Sequence, residues 1–222
     1  MDIRFRALLI LAVGLLAFAA WTVPEWWTRL NPQSPAAEGL PGLEMDARVQ
    51  FAALPNDIKD AYYTLYEGDE DADIDARPQW AVALARANLL TQDAESPQNN
   101  APFEPPAGAQ VVAEGTFSGV DRIRQARGDL TIYQDSTGSR LLRLEGDFFS
   151  SRAPDVHVVF TRNPDPMDGN GVGVDFIDVG TLNGNYGAQT FQVPASVDFS
   201  RYPVVALYSV EYDGVLGMAA LR

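Results

Sequence analysis

His157 is the single histidine of the chain, and Asp155 stands two positions before it in Pro154-Asp-Val-His-Val158, a stretch whose branched residues predict a strand. Residues two apart on a strand point to one face, so this carboxylate and imidazole can share a proton or hold one cation together. Two ligands make an incomplete zinc site, and the chain offers neither a second histidine nor any cysteine to complete it. The competing reading gives the pair a structural role in a turn and its strand. Further along, Asn163-Pro-Asp-Pro-Met-Asp-Gly-Asn-Gly171, continuing to Asp175, collects hard oxygens on Asp165, Asp168, Asn170 and Asp175 among glycines that permit tight turns. Those are calcium-type ligands, although the EF-hand register fails by one position and a plain glycine-rich hairpin loop is the alternative. No other metal or cofactor is expected.

Several chemistries are excluded. There is no Gly-x-Ser-x-Gly elbow for a serine hydrolase, and the single histidine would have to serve as its base. Gly169-Asn-Gly-Val-Gly173 lacks the spacing of a dinucleotide fingerprint, and no P-loop is present. Tyr133, Tyr208 and Tyr212 can in principle relay an electron, but aromatic residues in a β core serve packing far more often. A net charge of -14, with 16 Lys and Arg scattered singly among 30 Asp and Glu, argues against nucleic-acid binding, which needs clustered cations. The acidic stretch at 67–75 lacks the glycine and terminal glutamate of an EF-hand loop and reads as a solvated connection.

The elements that must position these residues divide into two kinds. Between 110 and 222, about eight short runs of branched and aromatic residues are separated by Gly, Asp, Asn and Pro: 111–117, 130–133, 141–149, 156–160, 176–182, 190–193, 204–208 and 215–221. This regular spacing predicts a mainly β domain, an antiparallel β-sandwich, rather than βαβ units. Leu142, Leu144 and Gly146 alternate with Arg143 and Glu145, as a strand with one buried face requires. Ahead of the sandwich, residues 57–66 space Ile58, Ala61, Tyr62 and Leu65 as a helix does, and 78–90 opens on Pro78 and spaces Trp80, Leu84, Ala87 and Leu90 likewise. Residues 45–54 are a third helical candidate. Segments rich in Pro, Asn and Gln at 30–41 and 91–109 read as linkers, so residues 30–109 are expected to form linker and a short helical stalk.

The N-terminal residues 1–29 give the address. Arg4 and Arg6 precede an unbroken apolar run from Ala7 to Val23, and Trp21, Trp26 and Trp27 fall where an interfacial belt belongs. The pattern predicts a single-pass transmembrane helix that acts as a signal anchor, leaves the N-terminus inside and sends the rest out of the cytoplasm. Ala17-Phe-Ala19 also fits a cleavage site, so the alternative is a protein secreted after signal-peptide removal. Either way the domain is exported without the disulfides that export permits, and packing alone must hold it together.

Four segments occur in this order: Gly128-Asp-Leu-Thr-Ile-Tyr133, Pro154-Asp-Val-His-Val158, Gly180-Thr-Leu-Asn-Gly184 and Gly187-Ala-Gln-Thr-Phe-Gln-Val-Pro194. Together they resemble a DM13 domain, and the likeness covers about half of the chain. The resemblance implies the β-sandwich and a module described as electron-transferring, because many members carry a cysteine near the last strands. Aligned back from Gly217-Met-Ala-Ala-Leu221, the segment Val204-Val-Ala-Leu-Tyr-Ser209 puts Ser209 where those members have the cysteine. A hydroxyl cannot cycle through thiolate, disulfide or sulfenate states, so this chain by itself has no thiol redox chemistry. Ser209 therefore joins Asp155 and His157 as a candidate binding residue without an assigned catalytic role. The expected function is a membrane-tethered, extracytoplasmic, non-enzymatic binding or accessory module at the cell envelope, with an envelope protein as partner. The alternative is a redox accessory protein that works with a cofactor-bearing partner.

Overall fold

Leu130, Ile132, Leu142, Leu144, Phe191 and Val193 are buried at alternate positions, and that alternation builds the first sheet of the computed structural model. The structure describes residues 39–68 and 77–222, and residues 39–222 cluster as one unit. Strands β1 (Gln110–Thr116), β4 (Asp129–Gln134), β5 (Arg140–Leu144) and β9 (Gln189–Val193) pair in the order β1-β4-β5-β9. A second sheet of five has the order β2-β11-β10-β7-β8, from β2 (Ser118–Gly119), β11 (Gly214–Ala220), β10 (Val204–Ser209), β7 (Val156–Thr161) and β8 (Ile177–Thr181). The short pair β3 (Ala126–Arg127) and β6 (Phe149–Ser150) stands beside them, and every strand pairing is antiparallel.

Residues from the inner faces of both sheets share one core, as a β-sandwich requires. Leu130, Ile132, Leu142 and Phe191 of the first sheet belong to the same cluster as Val158, Phe160, Val205, Leu207 and Leu216 of the second. The eight expected runs all form strands, with one difference. The run at 141–149 breaks after Leu144, because Gly146 and Asp147 are exposed in a turn and the chain re-pairs only at β6.

The second sheet is buried on both faces around β10, all six residues of which are buried. Its inner face meets the core, and its outer face carries Val159, Ala206, Tyr208 and Val215 under Val172 and Phe176. Burial on two sides explains why Val204-Val-Ala-Leu-Tyr-Ser209 reads as a continuous apolar run instead of alternating.

Three helices precede the sheets: α1 (Met45–Ala52), α2 (Asn56–Glu67) and α3 (Arg77–Leu90). They do not form a stalk held away from the β domain. Phe51, Tyr62, Trp80 and Leu84 belong to the same core as the sheets, Phe51 contacts the Tyr62 ring at 5.6 Å, and Trp80 stacks on Tyr212 at 5.6 Å. Their apolar spacing serves the sandwich; it is not a separate bundle. The segment 91–109 is likewise no free linker. Ala94 N–H donates to Asn185 Oδ1 at 2.7 Å, Ala188 N–H to Asn99 Oδ1 at 2.9 Å and Thr190 N–H to Gln98 Oε1 at 2.9 Å, so Asn and Gln side chains strap this segment to β9 and the loop before it. Polar composition suggested solvent, whereas these amides satisfy backbone donors.

The apolar run at 7–23, its flanking tryptophans and residues 69–76 of the acidic stretch lie outside the described residues. Among the described residues no helix is long and apolar enough to cross a membrane.

Candidate functional site

His157 lies in β7 directly between Tyr208 of β10 and Thr181 of β8 in the sheet register. Opposed residues of antiparallel strands project from the same face, so these three form a row across the outer face of the sheet. The β7–β8 register shifts between Val158 and Val159, which pair with Gly180 and Asp178, leaving Val179 as an extra residue. This bulge turns Asp178 onto the His157 face, the re-aiming that bulges perform. Asp178 is fixed there, since one oxygen accepts from Gly180 N–H at 2.8 Å and the other meets His157 Nδ1 at 2.7 Å.

The second nitrogen of the ring, Nε2, lies 3.1 Å from Asp155 Oδ1. Asp155 reaches it from a turn with φ of 48°, a left-handed conformation that Asp tolerates better than most side chains. Two bonds hold that turn: Ser209 Oγ donates to Pro154 O at 2.7 Å, and Val210 N–H donates to Asp155 O at 3.1 Å. Asp155, His157 and Ser209 are therefore brought together, although Ser209 faces inward, is fully buried and does not touch the ring.

The result is a carboxylate–imidazole–carboxylate array at the surface, with His157 20% exposed and its two partners 46% and 40%. A neutral ring donates to one carboxylate only, while a doubly protonated ring donates to both. The two ring nitrogens go to different carboxylates, Nε2 to Asp155 and Nδ1 to Asp178. Among the described residues, no group of three or more His, Asp or Glu is arranged to hold a metal. Sequence reasoning missed Asp178. Its signal was an acid two positions before Gly180 inside a predicted strand, the composition of a bulge.

The four oxygen-bearing residues of the 163–175 loop do not gather. Asp168 caps the one-turn helix α4 (Gly169–Val172) by accepting from Gly171 N–H at 2.9 Å, and Asp175 pairs with Arg162 at 2.5 Å. Asp165 and Asn170 are exposed, with Asp165 N–H bonded to Asn163 Oδ1 at 3.1 Å. The loop instead covers Tyr208, whose hydroxyl donates a short hydrogen bond to Asp213. Burial first, and then that carboxylate, push the Tyr208 pKa well above the usual phenol range. Tyr212 stacks on Trp80 and Tyr133 packs on Phe103 at 5.6 Å, the packing roles expected of them.

Residues 117–221 match the family model described as Electron transfer DM13. No curated protein and no solved structure matches the chain.

Proposed function

We propose that this chain, whose residues 117–221 form a DM13 domain, is a membrane-tethered, extracytoplasmic binding or accessory module without catalytic activity of its own. The observation that carries the reading is the state of Ser209. Where many relatives place a thiol, this chain has a fully buried hydroxyl that donates to the Pro154 carbonyl at 2.7 Å, and there is no cysteine elsewhere to take over. A side chain with no accessible redox couple, sealed from solvent, serves the architecture of a neighbouring surface: it anchors the turn that presents Asp155 to His157. The Asp155–His157–Asp178 array is the feature of that surface best suited to recognise a polar group of an envelope partner. The N-terminal run supplies the tether, a single-pass helix with the domain outside the cytoplasm, and the acidic surface turns away nucleic acid. Secretion after cleavage is the alternative address.

A second reading, redox accessory to a cofactor-bearing partner, is favoured by the family's electron-transfer description. The two part on an ultraviolet–visible spectrum of the full chain purified from its native host, as isolated and after dithionite. The binding reading expects aromatic absorption alone; a flavin, haem or iron–sulfur band moves the conclusion to the redox reading. For the tether, intact mass beginning at Met1 in the membrane fraction is expected, and a soluble exported form beginning at Ala20 contradicts it.

A further inference from the structure

We infer that the solvent-facing side of α1 rests on the surface of a zwitterionic lipid bilayer and so holds the β domain against the membrane in one orientation. The inference depends on the tether of the binding-module reading and adds a second, oriented contact to it. α1 is apolar on two sides. Ala47 and Phe51 are buried in the core, whereas Met45 and Val49 are 76% and 67% exposed and Ala52 is exposed beside them. At 3.6 residues per turn, positions 45, 49 and 52 share one face, turned away from Ala47 and Phe51.

Scattered apolar residues at a surface are ordinary, but a row of them along one helix face is not. The next helix shows what a solvated face looks like in this chain. The exposed positions of α2 are Asn56, Asp57, Asp60, Thr64 and Glu67, every one of them polar. A helix with apolar residues on both sides has two surfaces to cover, and among the described residues the fold covers only one.

Two observations select a membrane as the cover. α1 is the first described helix after the apolar run that ends at Val23, and residues 24–38 are all that separate that run from Gly39, where the described chain begins. A tether this short makes contact between α1 and the same bilayer effectively intramolecular, so a patch too small to hold a protein on lipid by itself is sufficient. Charge then selects the lipid. The row is flanked by one charge of each sign, Arg48 on one side and Asp46 on the other, both exposed. Arg48 Nε donates to the Leu43 carbonyl at 2.8 Å and Asp46 Oδ1 accepts from Ala47 N–H at 2.9 Å, so both side chains are fixed beside the row. That pair of signs complements a headgroup carrying both a phosphate and an ammonium, whereas an anionic surface would meet a chain of net charge -14.

The chain has no cysteine, so one introduced thiol gives one label. Met45→Cys, Val49→Cys and, as a control in the exposed turn between β4 and β5, Ser136→Cys each receive a nitroxide in the full chain reconstituted in phosphatidylcholine nanodiscs. Power-saturation electron paramagnetic resonance is expected to show the labels at 45 and 49 more accessible to oxygen than to a nickel chelate, the signature of lipid burial, and the label at 136 the reverse. Adding Val49→Asp to Met45→Cys is expected to return the label at 45 to the ratio of the control. Every substituted position is exposed, and circular dichroism checks that each variant is folded. Equal ratios at 45, 49 and 136 in chains that co-elute with the discs overturn the docking and leave the tether standing. Chains that do not co-elute overturn the tether and the docking with it. Spin–spin broadening at 49 that disappears on dilution with unlabelled chain identifies a second copy as the cover and overturns the membrane assignment; a stronger oxygen preference in phosphatidylglycerol discs overturns the zwitterionic one.

Discussion

Ser209 Oγ donates a 2.7 Å hydrogen bond to the carbonyl of Pro154, and this ties the buried end of β10 to the turn that carries Asp155. The bond links a core position to a surface array it never touches. Ser209→Ala leaves that carbonyl without its donor, at a cost of about 1–2 kcal/mol of stability. Chemical denaturation is expected to show that loss with the slope unchanged, and the Asp155–His157 contact to loosen in the ring resonances of His157. A variant as stable as the parent with an unaltered His157 signal would remove the anchoring role.

The helices belong to the β domain's core, and Trp80 is the clearest link. It is 3% exposed, stacks on Tyr212, and lies so close to Gly214 that a Cβ there would sit 2.6 Å from the indole. Trp80→Ala is expected to cost about 3–5 kcal/mol. A denaturation midpoint within error of the parent would restore the picture of an independent stalk.

Gly169 is needed for a different reason. A Cβ at this position would meet Asp213 Oδ1 at 1.6 Å and the Tyr208 hydroxyl at 2.7 Å. Gly169→Ala must therefore displace the Tyr208–Asp213 pair, with an expected loss of about 1–3 kcal/mol and a Tyr208 phenol that titrates closer to its ordinary range. Spectrophotometric titration of the tyrosines checks the second effect.

Alkali should unfold the protein partly through Tyr62. Burial, followed by the Asp121 carboxylate, pushes its pKa up to about 12 from the ordinary 10.0. A raised folded value means that the phenol's contribution is fully present below the unfolded pKa and is lost as pH climbs from about 10 through about 12, by roughly 2–3 kcal/mol. Tyr62→Phe is expected to flatten the stability-versus-pH curve in that window; an unchanged slope would place the loss elsewhere.

Because Asp168 caps α4 and Asp175 pairs with Arg162, the 163–175 loop has its own partners. Excess chelator is expected to leave the melting temperature of the full chain unchanged. A rise of several degrees on adding calcium, abolished by Asp168→Asn, would revive the calcium loop.

Strand positions were legible because buried faces impose alternation, and where β10 is buried on both sides its continuous apolar run still marked a strand. The Asp155–His157 contact was legible from their proximity in sequence, although Asp155 lies just before β7 and reaches the ring from a left-handed turn, not from the shared strand face that the spacing suggested. Asp178 was not, because a bulge decides which face it occupies, and bulges depend on pairing between strands far apart in sequence. The roles of Asn99 and Gln98 were hidden for a related reason: composition reports polarity, while their satisfaction of Ala188 and Thr190 N–H depends on a partner 89 and 92 residues away.

Under the proposed function, position 209 builds a surface and carries no electron. Protein-film voltammetry of the full chain and of Ser209→Ala tests it most directly. Matching traces are expected, neither with a reversible couple, while circular dichroism shows both folded. A reversible wave in the parent that vanishes in Ser209→Ala would contradict it and make this strand part of a redox path.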